Sequence, residues 1–189
     1  MTEIVNPALD ERFRAAAVAE GLLDVAYDVI DDTPVGALLV GVTDHGVCRI
    51  WFDPDPEENL ELLARLHGSR VLRASTPVER VRRELDEYFA GRRQRFDVEP
   101  DVRALPAYNQ RVLEELARVE YGTTTTYGAL AQLSGNPRAA RAVGTVMNRN
   151  PIPIVLPCHR VVGSTGKLTG YAGGLDRKEQ LLRLEGALL

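Results

Sequence analysis

Cys158 and His159 stand side by side at the end of the apolar run Asn150-Pro151-Ile152-Pro153-Ile154-Val155-Leu156-Pro157. A cysteine attacks as its thiolate, so a histidine able to take the thiol proton makes Cys158 a candidate for covalent chemistry. Taken alone, the pair reads equally well as a small buried cysteine with a chance neighbour. The residues C-terminal to the pair favour chemistry. Gly163, Gly166, Gly170, Gly173 and Gly174 surround Tyr171, a tight loop able to bring backbone close to a planar ligand.

The charge distribution suggests what that ligand belongs to. The formal net charge is −4, yet residues 1–108 carry 13 Lys+Arg against 21 Asp+Glu, while residues 109–189 carry 10 against 6. Between Glu120 and Asp176 there is no acidic residue, whereas Arg138, Arg141, Arg149, Arg160 and Lys167 fall there. A basic stretch around the reactive pair suits a polyanion such as DNA.

Elements to position the pair can be read from spacing. Residues 7–21 predict an amphipathic helix with Phe13, Ala16, Ala17 and Val18 on its apolar face. Alternation at Val25, Tyr27 and Val29 predicts a half-buried strand, and the runs Val35–Val42 and Val47–Phe52 complete a three-stranded antiparallel meander. Leu60–His67 reads as helical. Thr76-Pro77-Val78-Glu79 has the form of a capping box opening a helix to about Ala90. A polar, Pro-bounded stretch then puts the domain boundary near residue 104, giving domains 1–104 and 105–189.

Val112, Leu113, Leu116 and Val119 share one helical face. Thr126 is placed to cap a helix from Tyr127 to Ser134. Gly135-Asn136-Pro137 is a turn, and a second, basic helix runs from Arg138 to about Asn148, making a helix-turn-helix. Asp176 with Glu179 is read as the cap of a last helix through Leu184. Glu185 at that helix's C-terminal end opposes the dipole, which points to another role.

Asn150 through Val162, Gly170-Tyr171-Ala172-Gly173-Gly174-Leu175 and Leu181–Gly186, in this order, resemble the O6-alkylguanine-DNA alkyltransferases. The resemblance implies an α+β fold: an N-terminal ribonuclease H-like antiparallel sheet with helices, and a C-terminal winged helix-turn-helix domain. It implies direct-reversal repair, in which the alkyl group of O6-alkylguanine, or of O4-alkylthymine, passes irreversibly to Cys158 after the base is flipped. Each chain would act once, as a methylated-DNA–protein-cysteine methyltransferase.

By the same resemblance, Cys158 is the nucleophile, ionised at rest. His159 is the base acting through a bound water, Glu185 orients and charges the histidine, and Asn150 fixes the cysteine loop. Tyr127 pushes the 3′ phosphate and donates a proton toward the flipped base. Arg141 fills the vacated stack, Arg138 belongs to the DNA-binding set, and Tyr171, Ala172 and Gly173 form the pocket wall. Ala172 departs from the serine of several relatives, leaving only its backbone N–H to bond the base. A non-transferring binder of alkylated bases and a turnover Cys-His hydrolase are the competing readings, and Cys158 itself argues against the first.

No cofactor is expected. Some relatives hold a structural zinc, but His45, Cys48 and His67 do not make four ligands at zinc spacing, so no metal is expected and Cys48 reads as a buried strand residue. The expected partner is double-stranded DNA carrying the lesion. A monomer is expected, with cooperative association on DNA left open. Two cysteines, no long apolar stretch and a start, Met1-Thr2-Glu3-Ile4, unlike a secretion signal fit a cytoplasmic protein without membrane contact.

Overall fold

A computed structural model describes residues 6–188; residues 1–5 and 189, which the two domain ranges include, lie outside the described residues. Helix α1 (Pro7–Ala19) opens with proline in its first turn, and the Asn6 side chain accepts from the Ala8 N–H. Its expected apolar face is not buried: Ala17 is covered, while Phe13 is 63% exposed. A polar contact anchors the helix instead, from Arg14 Nη1 to the Arg73 carbonyl at 2.6 Å.

The meander is present as strands β1 (Val25–Ile30), β2 (Leu38–Thr43) and β3 (Gly46–Phe52). After α2 (Pro56–His67), capped by the Asp55 side chain, a short strand β4 (Val71–Arg73) pairs parallel with β1. The sheet order is β3-β2-β1-β4. Three residues are too few to show alternation, so the fourth strand was not visible in the sequence.

Helix α3 (Ser75–Phe89) starts one residue before Thr76, and no side chain caps it. The expected capping box therefore does not form, because Thr76 already lies inside the first turn. Gly91, at φ +69°, stops the helix as expected.

The remainder is helical. Helix α4 (Ala107–Ala117) buries Val112, Leu113 and Leu116. Helix α5 (Tyr127–Leu133) is capped by Thr126, whose Oγ1 accepts from the Ala129 N–H at 3.1 Å. Helix α6 (Ala140–Asn148) begins two residues later than spacing suggested, since the Asn136 carbonyl takes the Ala139 N–H and keeps Arg138 in the turn. Strands β5 (Thr125–Thr126) and β6 (Val161–Val162) pair in parallel beside this pair. Helix α7 (Leu175–Leu184) starts after Gly174, at φ +87°, so Asp176 supports the dipole from within the first turn rather than capping it.

One hydrophobic core joins the two halves, running from Leu38, Val78, Leu85 and Tyr88 to Val112, Leu130, Val143, Ile152 and Leu181. The edge strand β3 is covered where the Ile50 N–H donates to the Pro151 carbonyl at 2.8 Å, just upstream of Cys158. The sheet thereby holds the segment that carries the cysteine. No helix among the described residues is long and apolar enough to cross a membrane.

Candidate active site

Cys158, His159 and Arg160 form one 3-10 turn, entered through a loop that the sequence makes stiff. Asn150 ties the loop across itself: its Nδ2 donates to the Leu156 carbonyl at 2.8 Å and its Oδ1 accepts from the Ile152 N–H at 3.1 Å. Ile154 is held at φ +74° while 1% exposed. A β-branched residue there carries strain of about 1–3 kcal/mol, tolerated only where the surroundings over-determine it.

The turn delivers its side chains to a buried carboxylate. Glu185, the C-cap of α7, is 5% exposed, and His159 is 0% exposed. His159 Nε2 lies 2.8 Å from Glu185 Oε1. Arg160 adds Nε to Oε2 at 2.8 Å and Nη2 to Oε1 at 2.9 Å, and Tyr88 of α3 donates its hydroxyl to Oε1 at 2.7 Å. Burial opposes the charge of Glu185, but the bonds from His159 and Arg160 outweigh it and hold the carboxyl at about 2.

A carboxylate facing Nε2 fixes the proton there, leaving Nδ1 as the acceptor of a neutral imidazole. Nδ1 is buried without a protein partner. Burial lowers the pKa of His159, against the pull of Glu185.

Cys158 corrects one expectation. It is 4% exposed, and burial pushes its thiol up to about 11 despite a hydrogen bond with Asn150 and the charge of Lys178. The resting sulfur is therefore a thiol rather than a thiolate. Buried apolar surroundings penalise a lone anion more than these neighbours recover.

A cavity of about 200 Å³ opens beside Cys158, lined by Asn150, Pro153, Tyr171, Ala172, Gly173 and, from β3, Phe52. A Cβ at Gly173 would stand 2.8 Å from the rings of Phe52 and Tyr171, so only glycine fits this wall. Ala172 is exposed at the rim. Tyr127, at the start of α5, bonds through its hydroxyl to the Thr169 carbonyl at 3.2 Å, which brings it to the same loop. Arg138 and Arg141 are exposed, on the turn and on α6, away from the buried cluster.

Four contributors went unread in the sequence. Arg160 belongs to the basic, acid-free stretch that suits a polyanion, yet it is 5% exposed and bound to Glu185. Lys178 is 0% exposed and bonds the Val161 and Thr169 carbonyls at 2.5 and 2.7 Å; burial brings its ammonium down to about 8. Tyr88 and Phe52 come from the other half. Only Lys178 left a signal, a lysine on the inward spacing of Leu181 and Leu182. Among the described residues no group of three or more His, Cys, Asp or Glu could hold a metal ion.

Fold and site together define a class: a buried thiol beside a histidine–carboxylate pair, in a helix-turn-helix half that shares its core with a small sheet. A family model described as the ribonuclease-like domain of 6-O-methylguanine DNA methyltransferase matches residues 25–101, and one described as its DNA binding domain matches residues 107–187. A methylated-DNA–protein-cysteine methyltransferase of Methanosarcina acetivorans is 39% identical over 161 residues, 85% of this chain and 99% of that protein. One of Mycolicibacterium paratuberculosis is 53% identical over 102 residues, 54% of this chain and 61% of that protein. The crystal structure of Mycobacterium tuberculosis OGT in complex with DNA matches with a TM-score of 0.74 at 38% identity, covering 86% of this chain and 93% of that one. The chain belongs to the 6-O-methylguanine DNA methyltransferase family.

Proposed function

We propose that this protein repairs alkylated DNA by moving the alkyl group of O6-alkylguanine onto Cys158, once per chain. The observation that carries this reading is the chain of contacts Glu185–His159 beside a buried thiol that borders the pocket. His159 Nδ1 takes the thiol proton through a water. The sulfur then forms a bond to the alkyl carbon as the carbon–O6 bond breaks; guanine leaves as its anion, the half-exposed Tyr127 hydroxyl donates a proton toward the base, and water returns a proton to Tyr127. The thiol proton passes to His159 beside the Glu185 carboxylate, so the imidazolium that forms is paired within the buried cluster.

Neutral at rest, the thiol is spared side reactions until a base is seated. The lesion carbon lies within a stacked duplex, so the nucleotide must be turned out into the cavity. Tyr171 and Gly173 wall it, the Ala172 N–H is offered to the base, and Arg141 fills the gap left behind, with Arg138 at the neighbouring backbone. O4-alkylthymine presents a similar alkyl ether and is a second substrate.

The protein acts as a monomer on duplex DNA, without cofactor, in a cytoplasm that keeps its two cysteines as free thiols. The division at residues 1–104 and 105–189 separates the sheet from the DNA-facing helices. Cys158→Ser tests the assignment: it should bind duplex carrying O6-methylguanine with wild-type affinity and remove no methyl. Methyl removal at the wild-type rate would refute Cys158 as acceptor.

A further inference from the structure

We propose that Tyr88, contributed by the sheet half, is a positioning residue of the proton relay, setting how strongly Glu185 holds the His159 proton. The proposal rests on the alkyl-transfer reading above and adds a group to it. Tyr88 is 0% exposed and donates to Glu185 Oε1 at 2.7 Å, across 97 residues of sequence. That same oxygen faces His159 Nε2 at 2.8 Å and Arg160 Nη2 at 2.9 Å. A hydroxyl that only filled a core position would have no reason to share the oxygen that fixes the tautomer of His159.

The ring is fixed by its neighbours. Phe89 and Phe96 lie 5.4 Å away, and Tyr121 stands edge-on at 6.1 Å. The phenol cannot turn its hydrogen to water, and burial beside a carboxylate raises its pKa far above the ordinary range, so it stays a donor. The other charged or titratable groups whose charge is felt around Glu185 are Arg160, His159, Tyr121 and Tyr171, and Lys178 acts on His159; the Gly122 N–H also reaches Oε2 at 3.4 Å.

A donor on Oε1 spreads the charge of the carboxylate and weakens its hold on an imidazolium. Tyr88 thus keeps His159 neutral, with Nδ1 ready to accept the thiol proton, to lower pH than Glu185 and Arg160 alone would allow.

The test is the single-turnover rate of methyl transfer from duplex DNA as a function of pH. In the wild type the rate falls on the acid side as His159 gains a proton. Tyr88→Phe should move that limb to higher pH by about half a unit, the scale of one buried hydrogen bond felt through a carboxylate. Site-specific 3-fluorotyrosine at position 88, a stronger donor of nearly the same shape, should move it to lower pH. Tyr121→Phe removes a hydroxyl that, among the described residues, bonds the Leu184 carbonyl rather than Glu185, and should leave the limb where it is.

Tyr88→Phe coinciding with wild type on the acid side, or both replacements shifting the limb in one direction, overturns the proposal. Should Tyr88→Phe fail to fold, the fluorinated protein decides: an unmoved or raised limb overturns it. Wild-type protein that transfers nothing to Cys158 would sink the alkyl-transfer reading itself, a result visible before any variant is made.

Discussion

Glu185 sets the charge of the site, and its replacement is the most telling single change there. Glu185→Gln keeps the volume but leaves the Arg160 guanidinium buried without a counter-ion, which should cost about 3–5 kcal/mol in urea unfolding. It should also slow alkyl transfer, since an amide does not select the His159 tautomer. The carboxyl sits at about 2, below its ordinary 4.5. Its contribution to stability is therefore fully present above pH about 4.5 and lost as pH falls toward 2. Unfolding free energy measured across that window should drop more steeply for wild type than for Glu185→Gln. At this scale the sequence was legible where chemistry is local. Cys158 beside His159, and Glu185 against its helix dipole, pointed to a site without coordinates. Arg160 was not legible, because a buried charge looks like a surface charge until its partner, 25 residues away, is known, whereas Lys178 left only its inward spacing with Leu181 and Leu182.

Elements were readable wherever one short-range signal decided them. Thr126 caps α5 as its position suggested, and Thr126→Ala should cost about 1 kcal/mol of stability by thermal or chemical unfolding. Thr76 carried an equally good local pattern, but the chain enters α3 one residue earlier and the box is lost. Tertiary placement of Ala74, next to the end of β4, outweighs that local preference. The α5–α6 pair yields a functional prediction: Arg141→Ala should slow repair of duplex DNA more than reaction with the free modified base, because only a duplex leaves a gap to fill. Equal losses in the two assays would remove Arg141 from that role. The pocket wall gives another. Gly173→Ala should sharply reduce transfer while the protein still folds, as the added methyl displaces Phe52 or Tyr171 from 2.8 Å; undiminished transfer would show the wall to be less confined than its geometry.

For the whole molecule, the decisive features are the shared core and the uneven charge. The halves are joined by Tyr88–Glu185, Ile50–Pro151 and the ion pair in which Arg177 Nη2 reaches both Asp53 carboxylate oxygens, at 2.6 and 2.7 Å. None of these contacts is visible in sequence, since each spans about a hundred residues. Arg138, Arg141, Arg149 and Lys167 stay exposed on the DNA-binding half, whereas Arg160 is withdrawn onto Glu185. With three of the exposed groups on phosphates, DNA affinity should fall roughly 40-fold between about 50 and about 200 mM salt. The most direct test of the whole account weighs the intact protein after incubation with excess duplex carrying O6-methylguanine, then maps the modified peptide. One added methylene mass per chain, on Cys158 and rising no further with time, is the predicted result. An unchanged mass while methyl groups continue to leave the DNA, or a gain at any residue other than Cys158, would contradict it.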